Sequence, residues 1–317
     1  MITNSRLNWG DQLGAQLTTL AALTYICEEN KQQLVLWQEL KNYRRGYQFL
    51  DVFDIADITV LDRASSIKKN IIDNYCKKYK TLVSWKEQMQ RIYKNKIYRY
   101  LDRIIYEWIR LNYRDFHKLR GLNNVHTDSM LSELDANTNY DIISGFGTYQ
   151  DWKKYECLIK ERLKFKEEIQ MEAETEFSKL VSTKKKIAVH FRRTDYLVMS
   201  SLNLDDSYYN RALDVFDKDK YQFVVFSDDI EACKKMNIFD GLDSVFMDKH
   251  SAGVDMCLMS MCDANIIANS TFSFWGAFLN DTPHKIVVCP HDFVVGGGEN
   301  ADCYINGNYY PDSWIAL

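Results

Sequence analysis

Residues that interrupt or cross-link a chain are scarce in this sequence. Only 3 of the 317 residues are proline, and no low-complexity linker is present, so any two domains should pack closely. The 8 cysteines are scattered and form no C-x-x-C pair. This argues against a zinc site and favours free thiols in a reducing compartment.

Long apolar runs are absent as well. No uncharged apolar stretch reaches about 18 residues, the length of a membrane-spanning helix. The first residues, MITNSRLNWGDQLG, lack the basic and then apolar segments of a secretory signal. We therefore expect a cytoplasmic location.

Charge is unevenly distributed along the chain, whose net charge is −4. Residues 63–120 hold sixteen Lys or Arg and five Asp or Glu, a local balance of +11. Apolar residues recur there every three to four positions, which predicts a helix with one apolar and one basic face. Two interpretations stay open: a core-facing helix with a solvated lysine face, or a surface that meets anionic lipid headgroups or a pyrophosphate.

Short apolar runs alternate with helical segments throughout the second half of the chain. This rhythm is typical of a parallel sheet that is covered on both faces. The first half is less regular, with one apolar helix, short strands and long helical regions. We place a boundary between residues 1–165 and residues 166–317 and expect an α/β fold with two domains.

Polar side chains follow three strands of the predicted sheet, and ligands of open α/β sheets bind at this end of the strands. The runs KKIAV, YQFVVF and ANIIA are mostly apolar. The polar residues that follow or close them are His190, Arg192, Arg193 and Asp195; Ser227, Asp228 and Asp229; Asn269, Ser270, Thr271 and Ser273.

These residue types suit a nucleoside diphosphate. Two arginines bind phosphate oxygens bidentately, and NSTFS opens a helix whose N–H groups and dipole favour an anion. A carboxylate of FSDD suits a purine edge or a ribose hydroxyl. Each feature also has a simpler interpretation: an ion pair that holds a loop, an ordinary N-cap, or the start of the next helix.

Several segments together form a set of motifs: HFRRTDY, DDSYYNRAL, FSDD and DMCLMSMCDANIIANSTFSFWGAFLN. With GFGTYQDWKKY and YYPDSWIAL, they resemble the motifs of the α-1,2-fucosyltransferases, glycosyltransferase family 11. The resemblance is most specific over residues 187–290. It implies a GT-B-type fold, two Rossmann-like domains facing a cleft, with the donor GDP-L-fucose in the second domain and the acceptor in the first.

The resemblance also implies the chemistry and the roles of residues. Transfer would invert the anomeric carbon and need no metal or other cofactor. Arg192 would be the main contact of the β-phosphate, with Arg193 beside it. His190 and one of Asp228 or Asp229 would lie near the guanosine. Ser270, Thr271 and Ser273 would line the phosphates. Ser227 and Asn269 complete the expected donor site.

The chain departs from the family pattern near its N-terminus. Where the family shows Gly-Gly-Leu-Gly-Asn-Gln, this sequence has Leu-Asn-Trp-Gly-Asp-Gln at residues 7–12. We expect Trp9, Gly10 and Gln12 on the acceptor side. Asp11 and Asp195 are the carboxylates that we consider as catalytic base.

Three other functions stay open at this stage. A metal-dependent transferase would use Asp-x-Asp, and Asp217 and Asp219 have this spacing, but they precede a strand rather than follow one. A sugar- or nucleotide-binding protein without activity and a transferase of another GDP-deoxyhexose are the other two. For the enzyme, we expect an oligosaccharide acceptor on a lipid carrier, peripheral contact with the inner membrane face and no nucleic-acid partner.

Overall fold

The computed structural model describes residues 1–4, 7, 12–37, 48–55, 57–61, 116–119, 131, 134–142, 148–194, 204–294 and 309–317. Most of the basic segment of residues 63–120 lies outside these ranges, so its predicted amphipathic helix stays a prediction. Within the described ranges, no helix is long and apolar enough to cross a bilayer.

The first half contains a long buried helix and short parallel strands. A bridge between Ile2 and Leu34 joins a three-stranded sheet to a two-stranded one, so the strand order is β3-β2-β1-β5-β4. The elements are β1 (Ile2–Thr3), α1 (Leu13–Glu29), β2 (Val35–Trp37), α2 (Gln48–Val52), β3 (Thr59–Leu61), β4 (His117–Leu119) and β5 (Tyr140–Ile142).

Four short helical segments connect the two halves. The run DWKKYECLIKERLKFKEEIQMEAETEFSKLV predicts one continuous helical region over residues 151–181, but the structure breaks it after Arg162, and this prediction is wrong. Phe165 bridges Phe53 in antiparallel fashion, and the Lys166 N–H donates to Val52 O at 3.0 Å. The segments are α3 (Tyr149–Trp152), a 3-10 turn (Lys153–Tyr155), α4 (Glu156–Arg162) and α5 (Glu167–Ser178).

The second half forms a six-stranded parallel sheet of the order β8-β7-β6-β9-β10-β11. This is the strand order of a doubly wound dinucleotide-binding fold, in which the order of successive strands reverses between β6 and β9. The elements are β6 (Lys185–Phe191), α6 (Asp206–Asp214), β7 (Tyr221–Ser227), α7 (Ile230–Cys233), a 3-10 turn (Asn237–Phe239), β8 (Ser244–Phe246), α8 (Ala252–Ser260), β9 (Ala264–Ile266), α9 (Thr271–Phe278), β10 (Ile286–Cys289) and β11 (Ile315–Ala316).

Helices α1 and α9 pack directly against each other, so one apolar core joins residues of both halves. Gly14 makes this approach close: a Cβ there would stand 2.5 Å from Phe272 N and 2.6 Å from the Thr271 carbonyl carbon. The close packing expected from the scarcity of proline is therefore present, while the boundary at residue 165 itself stays a prediction.

Candidate donor site at the strand ends

The crevice between the carboxyl ends of β6 and β9 is where the fold predicts a ligand. The ladder between these two strands ends at the pair Val189–Ile266. Beyond this pair, the segment after β6 and the segment after β9 diverge to opposite faces of the sheet. Arg192 follows β6 and Ser270 follows β9. The structure thus brings two of the predicted polar groups to the switch point of the sheet.

Asp228 organises the loop that carries the arginines. Its carboxylate accepts the Arg193 N–H at 2.9 Å, the Thr194 N–H at 3.3 Å and the Thr194 hydroxyl at 2.5 Å. Arg192 Nη1 stands 3.2 Å away, with 18% of the Arg192 side chain exposed. Burial raises the pKa of Asp228, but these hydrogen bonds and the Arg192 charge outweigh it and hold the pKa below its ordinary value.

Arg193 is oriented differently from Arg192. Its Nη1 lies 3.4 Å from Met236 Sδ, and its Nε is buried without a hydrogen-bond partner among the described residues. The structure therefore ties the Arg193 backbone to Asp228 and its guanidinium to Met236, and of the two arginines it is Arg192 whose guanidinium pairs with this carboxylate.

His190 is a buried, neutral side chain at the end of β6. Its ring packs 5.6 Å from that of Phe272. Burial lowers the pKa of His190 to about 4; the Asp228 charge opposes this shift and the Arg192 charge supports it. Nδ1 is buried and has no hydrogen-bond partner within the described part of the chain.

Asp229 and Ser227 begin the next helix. Asp229 is the N-cap of α7 and accepts the Ala232 N–H at 3.1 Å, while its own N–H donates to the Ser227 hydroxyl at 3.0 Å. Asp229 therefore starts a helix, whereas Asp228 binds the arginine loop, and the place of one of them near the guanosine stays a prediction.

The start of α9 leaves backbone donors at the switch point. Ser270 is the N-cap residue, but its side chain makes no capping hydrogen bond, and the first turn contains no acidic residue. The first intrahelical bond runs from Phe274 N to Ser270 O, so the N–H groups of the first turn have no helical partner. Such a terminus, with its dipole, favours an anion.

Two side chains of the NSTFS run form hydrogen bonds with backbone carbonyls of the protein itself. Ser273 is fully buried, and its hydroxyl is 3.3 Å from Ala268 O and 3.2 Å from Ser270 O. It therefore stabilises the turn before α9, and the place along the phosphates that the resemblance implies for it stays a prediction. Asn269 Nδ2 donates to Phe293 O at 3.0 Å, which fixes the segment after β10.

The N-terminus of α1 meets the N-terminus of α9 through Gly14. Gln12 is exposed at the start of α1, which has neither a side-chain cap nor an acidic residue in its first turn. Two positive helix ends therefore converge beside the switch point. Trp9, Gly10, Asp11 and Asp195 lie outside the described residues, so their roles stay predictions.

The Asp-x-Asp pair lies away from these strand ends. Asp217 pairs with Lys220 at 2.7 Å and accepts the Asp219 N–H at 3.1 Å, in the loop before β7. Among the described residues, no group of three or more His, Cys, Asp or Glu is arranged to hold a metal ion.

Comparison with known proteins agrees with this geometry. Residues 137–292 match the sequence model of glycosyl transferase family 11. The fold is of the GT-B type: a crystal structure of POFUT1 in complex with GDP superposes with a TM-score of 0.51 at 11% identity, covering 91% of this chain and 97% of that one. Residues 137–292 thus belong to glycosyltransferase family 11.

Two curated relatives come from Escherichia coli. The O-antigen biosynthesis glycosyltransferase WbnK is 33% identical over 141 residues, 41% of this chain and 44% of its own length. An alpha-1,2-colitosyltransferase is 37% identical over 126 residues, 36% of this chain and 43% of its own. The chain thus spans less than half the length of the curated relatives it matches.

Proposed function

We propose that the protein transfers L-fucose from GDP-L-fucose to a hydroxyl group of a sugar acceptor. The observation that carries this proposal is the position of Arg192 at the switch point, where Asp228 holds its guanidinium and the uncapped start of α9 follows the neighbouring strand. A guanidinium and a helix N-terminus on the two sides of one crevice suit a diphosphate. Membership of residues 137–292 in family 11 supports the choice of a sugar nucleotide.

The proposed chemistry is an inverting displacement. The bond between the anomeric carbon and the β-phosphate oxygen breaks, and its electron pair goes to that oxygen. Arg192 and the N–H groups of α9 stabilise the charge of the leaving GDP, so the reaction needs no metal ion. The acceptor hydroxyl attacks the opposite face of the oxocarbenium-like sugar, and its proton passes to Asp195 or Asp11 as base.

The acceptor and the linkage are proposed from the relatives. We propose an α-1,2 linkage to the 2-hydroxyl of a galactoside in a bacterial surface polysaccharide, built on a lipid carrier. The names of WbnK, of the colitosyltransferase and of a mouse galactoside 2-alpha-L-fucosyltransferase (33% identical over 104 residues) support this. The basic segment would then contact the cytoplasmic membrane face, which salt-sensitive binding to anionic liposomes tests.

A second donor is favoured by one observation. The colitosyltransferase has the higher identity of the two Escherichia coli relatives, 37% against 33%. The same diphosphate clamp fits a GDP-linked hexose that is further deoxygenated than fucose. A direct competition of the two donors in the transfer assay decides between them.

Calorimetry with GDP, GDP-fucose, UDP and dTDP in the presence of EDTA tests the donor class, and transfer to a β-galactoside tests the reaction. Selective binding of guanine nucleotides with turnover is the expected result. Binding without turnover on any acceptor or water would favour a non-catalytic binding protein. Preference for another base, or binding only with Mg²⁺, would contradict the proposal.

Arg192→Ala tests the clamp, with Arg211→Ala as its matched control. Arg211 lies on α6, where its Nη1 donates to the Ser207 hydroxyl at 3.2 Å. We expect kcat/KM to fall about 10²- to 10³-fold for Arg192→Ala, as for the loss of other oxyanion donors, and to stay near wild type for Arg211→Ala. Near-native turnover of Arg192→Ala would show that the clamp is assigned wrongly.

A further inference from the structure

Two consecutive tyrosines of α6 have no role in the site described above. Tyr208 and Tyr209 belong to the DDSYYNRAL motif, and both are buried, with 3% and 4% of their surface exposed. Both place their hydroxyl groups on backbone carbonyls of the sheet. Burial raises the pKa of both phenols well above the ordinary value, so they remain hydrogen-bond donors at every accessible pH.

Two of the three carbonyls that they contact flank the switch point, and the third is Val288 O of β10, 3.4 Å from Tyr208 Oη. The β6–β9 ladder ends at Val189–Ile266, so His190 and Ile267 are the first residues beyond it on either strand. Tyr209 Oη donates to His190 O at 3.2 Å, and Tyr208 Oη donates to Ile267 O at 2.6 Å. One helix therefore binds both strand ends at the point where they begin to diverge.

Local structure explains how neighbouring residues can reach two strands. Successive side chains on a helix point about 100° apart, so a pair in one turn spreads toward two targets. Asp205 fixes the start of α6 by accepting the Tyr208 N–H at 3.2 Å. The Tyr209 ring stacks on Phe191 at 3.9 Å between centroids, which holds its hydroxyl over β6.

The two contacts lie immediately before the groups of the donor site. Arg192 is two residues after His190, and Ser270 is three residues after Ile267. We propose that Tyr208 and Tyr209 are positioning residues that set the separation of Arg192 from the start of α9 and so preorganise the diphosphate site. This inference rests on the proposed function.

A role in packing alone requires only the aromatic rings. Phenylalanine fills the same volume at both positions, and the hydroxyls add nothing to the apolar contacts. Removing one hydroxyl leaves the ring in place and frees one strand end to shift. Tyr208→Phe and Tyr209→Phe therefore separate positioning from packing.

Tyr221→Phe is the matched control. Tyr221 stands at the amino end of β7 and packs on Phe216 with ring centroids 5.4 Å apart. Its hydroxyl makes no hydrogen bond within the described residues. The substitution thus removes the same hydroxyl group from a residue at the start of β7, at the end of the sheet opposite to the donor site.

The experiment measures the Kd of GDP by calorimetry, KM and kcat with GDP-fucose, and Tm for all three variants. We expect Kd and KM to rise about fivefold for each of Tyr208→Phe and Tyr209→Phe. We expect kcat to change less than about twofold, because bound donor restores the spacing. Tyr221→Phe should leave all of these values unchanged.

The outcomes separate the two proposals. If wild-type protein binds GDP and both variants bind it equally well, the tyrosines only stabilise the fold, whatever their Tm. A rise in Kd for Tyr221→Phe of the same size would also overturn positioning, since it would show a general effect of the lost hydroxyl. If wild-type protein binds no GDP, the proposed function fails first and this inference with it.

Discussion

Asp228 and Asp229 follow the same strand but contact different parts of the molecule. Asp228 accepts three hydrogen bonds from the loop of Arg193 and Thr194, and it pairs with Arg192. Asp229 caps α7 through the Ala232 N–H. Substituting Asp228 and Asp229 one at a time therefore separates the effect of the arginine loop from the effect of α7 on stability.

We expect Asp228→Ala to raise the Kd of GDP about tenfold or more, because Arg192 loses the carboxylate that orients it. Asp229→Ala should keep the affinity and lower the free energy of unfolding by about 1 kcal/mol, the usual cost of a lost N-cap. Calorimetry and urea denaturation measure the two effects. Equal losses of affinity would contradict the division of roles.

The sequence predicted which residues stand at the strand ends but not where each side chain points. Arg192 and Asp228 directly follow the neighbouring strands β6 and β7 and form an ion pair, while Ser270 stands four residues after the end of β9. From the sequence alone, the two neighbouring aspartates are equally good candidates for a ligand contact. The local backbone conformation decides which one caps a helix. The inward hydroxyl of Ser273 depends likewise on the turn after Ala268.

At the scale of elements, the contact of α1 with α9 leaves the least room for an added side-chain atom among the described glycines. Alanine favours a helix interior over glycine by about 1 kcal/mol, yet a Cβ at Gly14 would stand 2.5 Å from Phe272 N. We expect Gly14→Ala to lower the free energy of unfolding by about 1–3 kcal/mol, as overpacking does. It should also weaken GDP binding, since the displaced atoms belong to the start of α9.

Gly276→Ala is the control for Gly14→Ala. A Cβ at Gly276 would meet the Met259 side chain at 3.0–3.4 Å, and a flexible thioether can move where a backbone cannot. Thermal melts of both variants give the comparison. A Gly14→Ala protein as stable as wild type would mean that the two helices can separate without cost.

Elements of the second half were predicted well because each strand is a short run of β-branched or aromatic residues between helices. The break between α4 and α5 was not predicted. Its cause is a pairing with a distant segment, in which Phe165 stacks 4.8 Å from Phe53, and local periodicity contains no sign of that contact.

At the scale of the whole molecule, aromatic side chains join the two halves. Trp152 stacks on Trp275 with centroids 5.5 Å apart and planes at 11°, and it meets Phe278 edge-on at 5.2 Å. Phe274 continues the cluster toward Tyr309 and Tyr310. Few prolines indicated close packing, but which residues meet across about 120 positions of sequence depends on the tertiary fold.

This shared core predicts that the chain unfolds as one cooperative unit. Trp152→Ala removes a fully buried ring and should lower the free energy of unfolding by about 3–5 kcal/mol. In wild type and in Trp152→Ala, the urea unfolding curves followed by circular dichroism and by fluorescence should coincide. The substitution should move both curves to lower urea concentration by the same amount. A double-mutant cycle with Trp275→Ala should give a coupling of about 0.5–1.5 kcal/mol. Two separate transitions, with only the first shifted by Trp152→Ala, would mean that the halves fold independently and that the aromatic cluster stabilises only one of them.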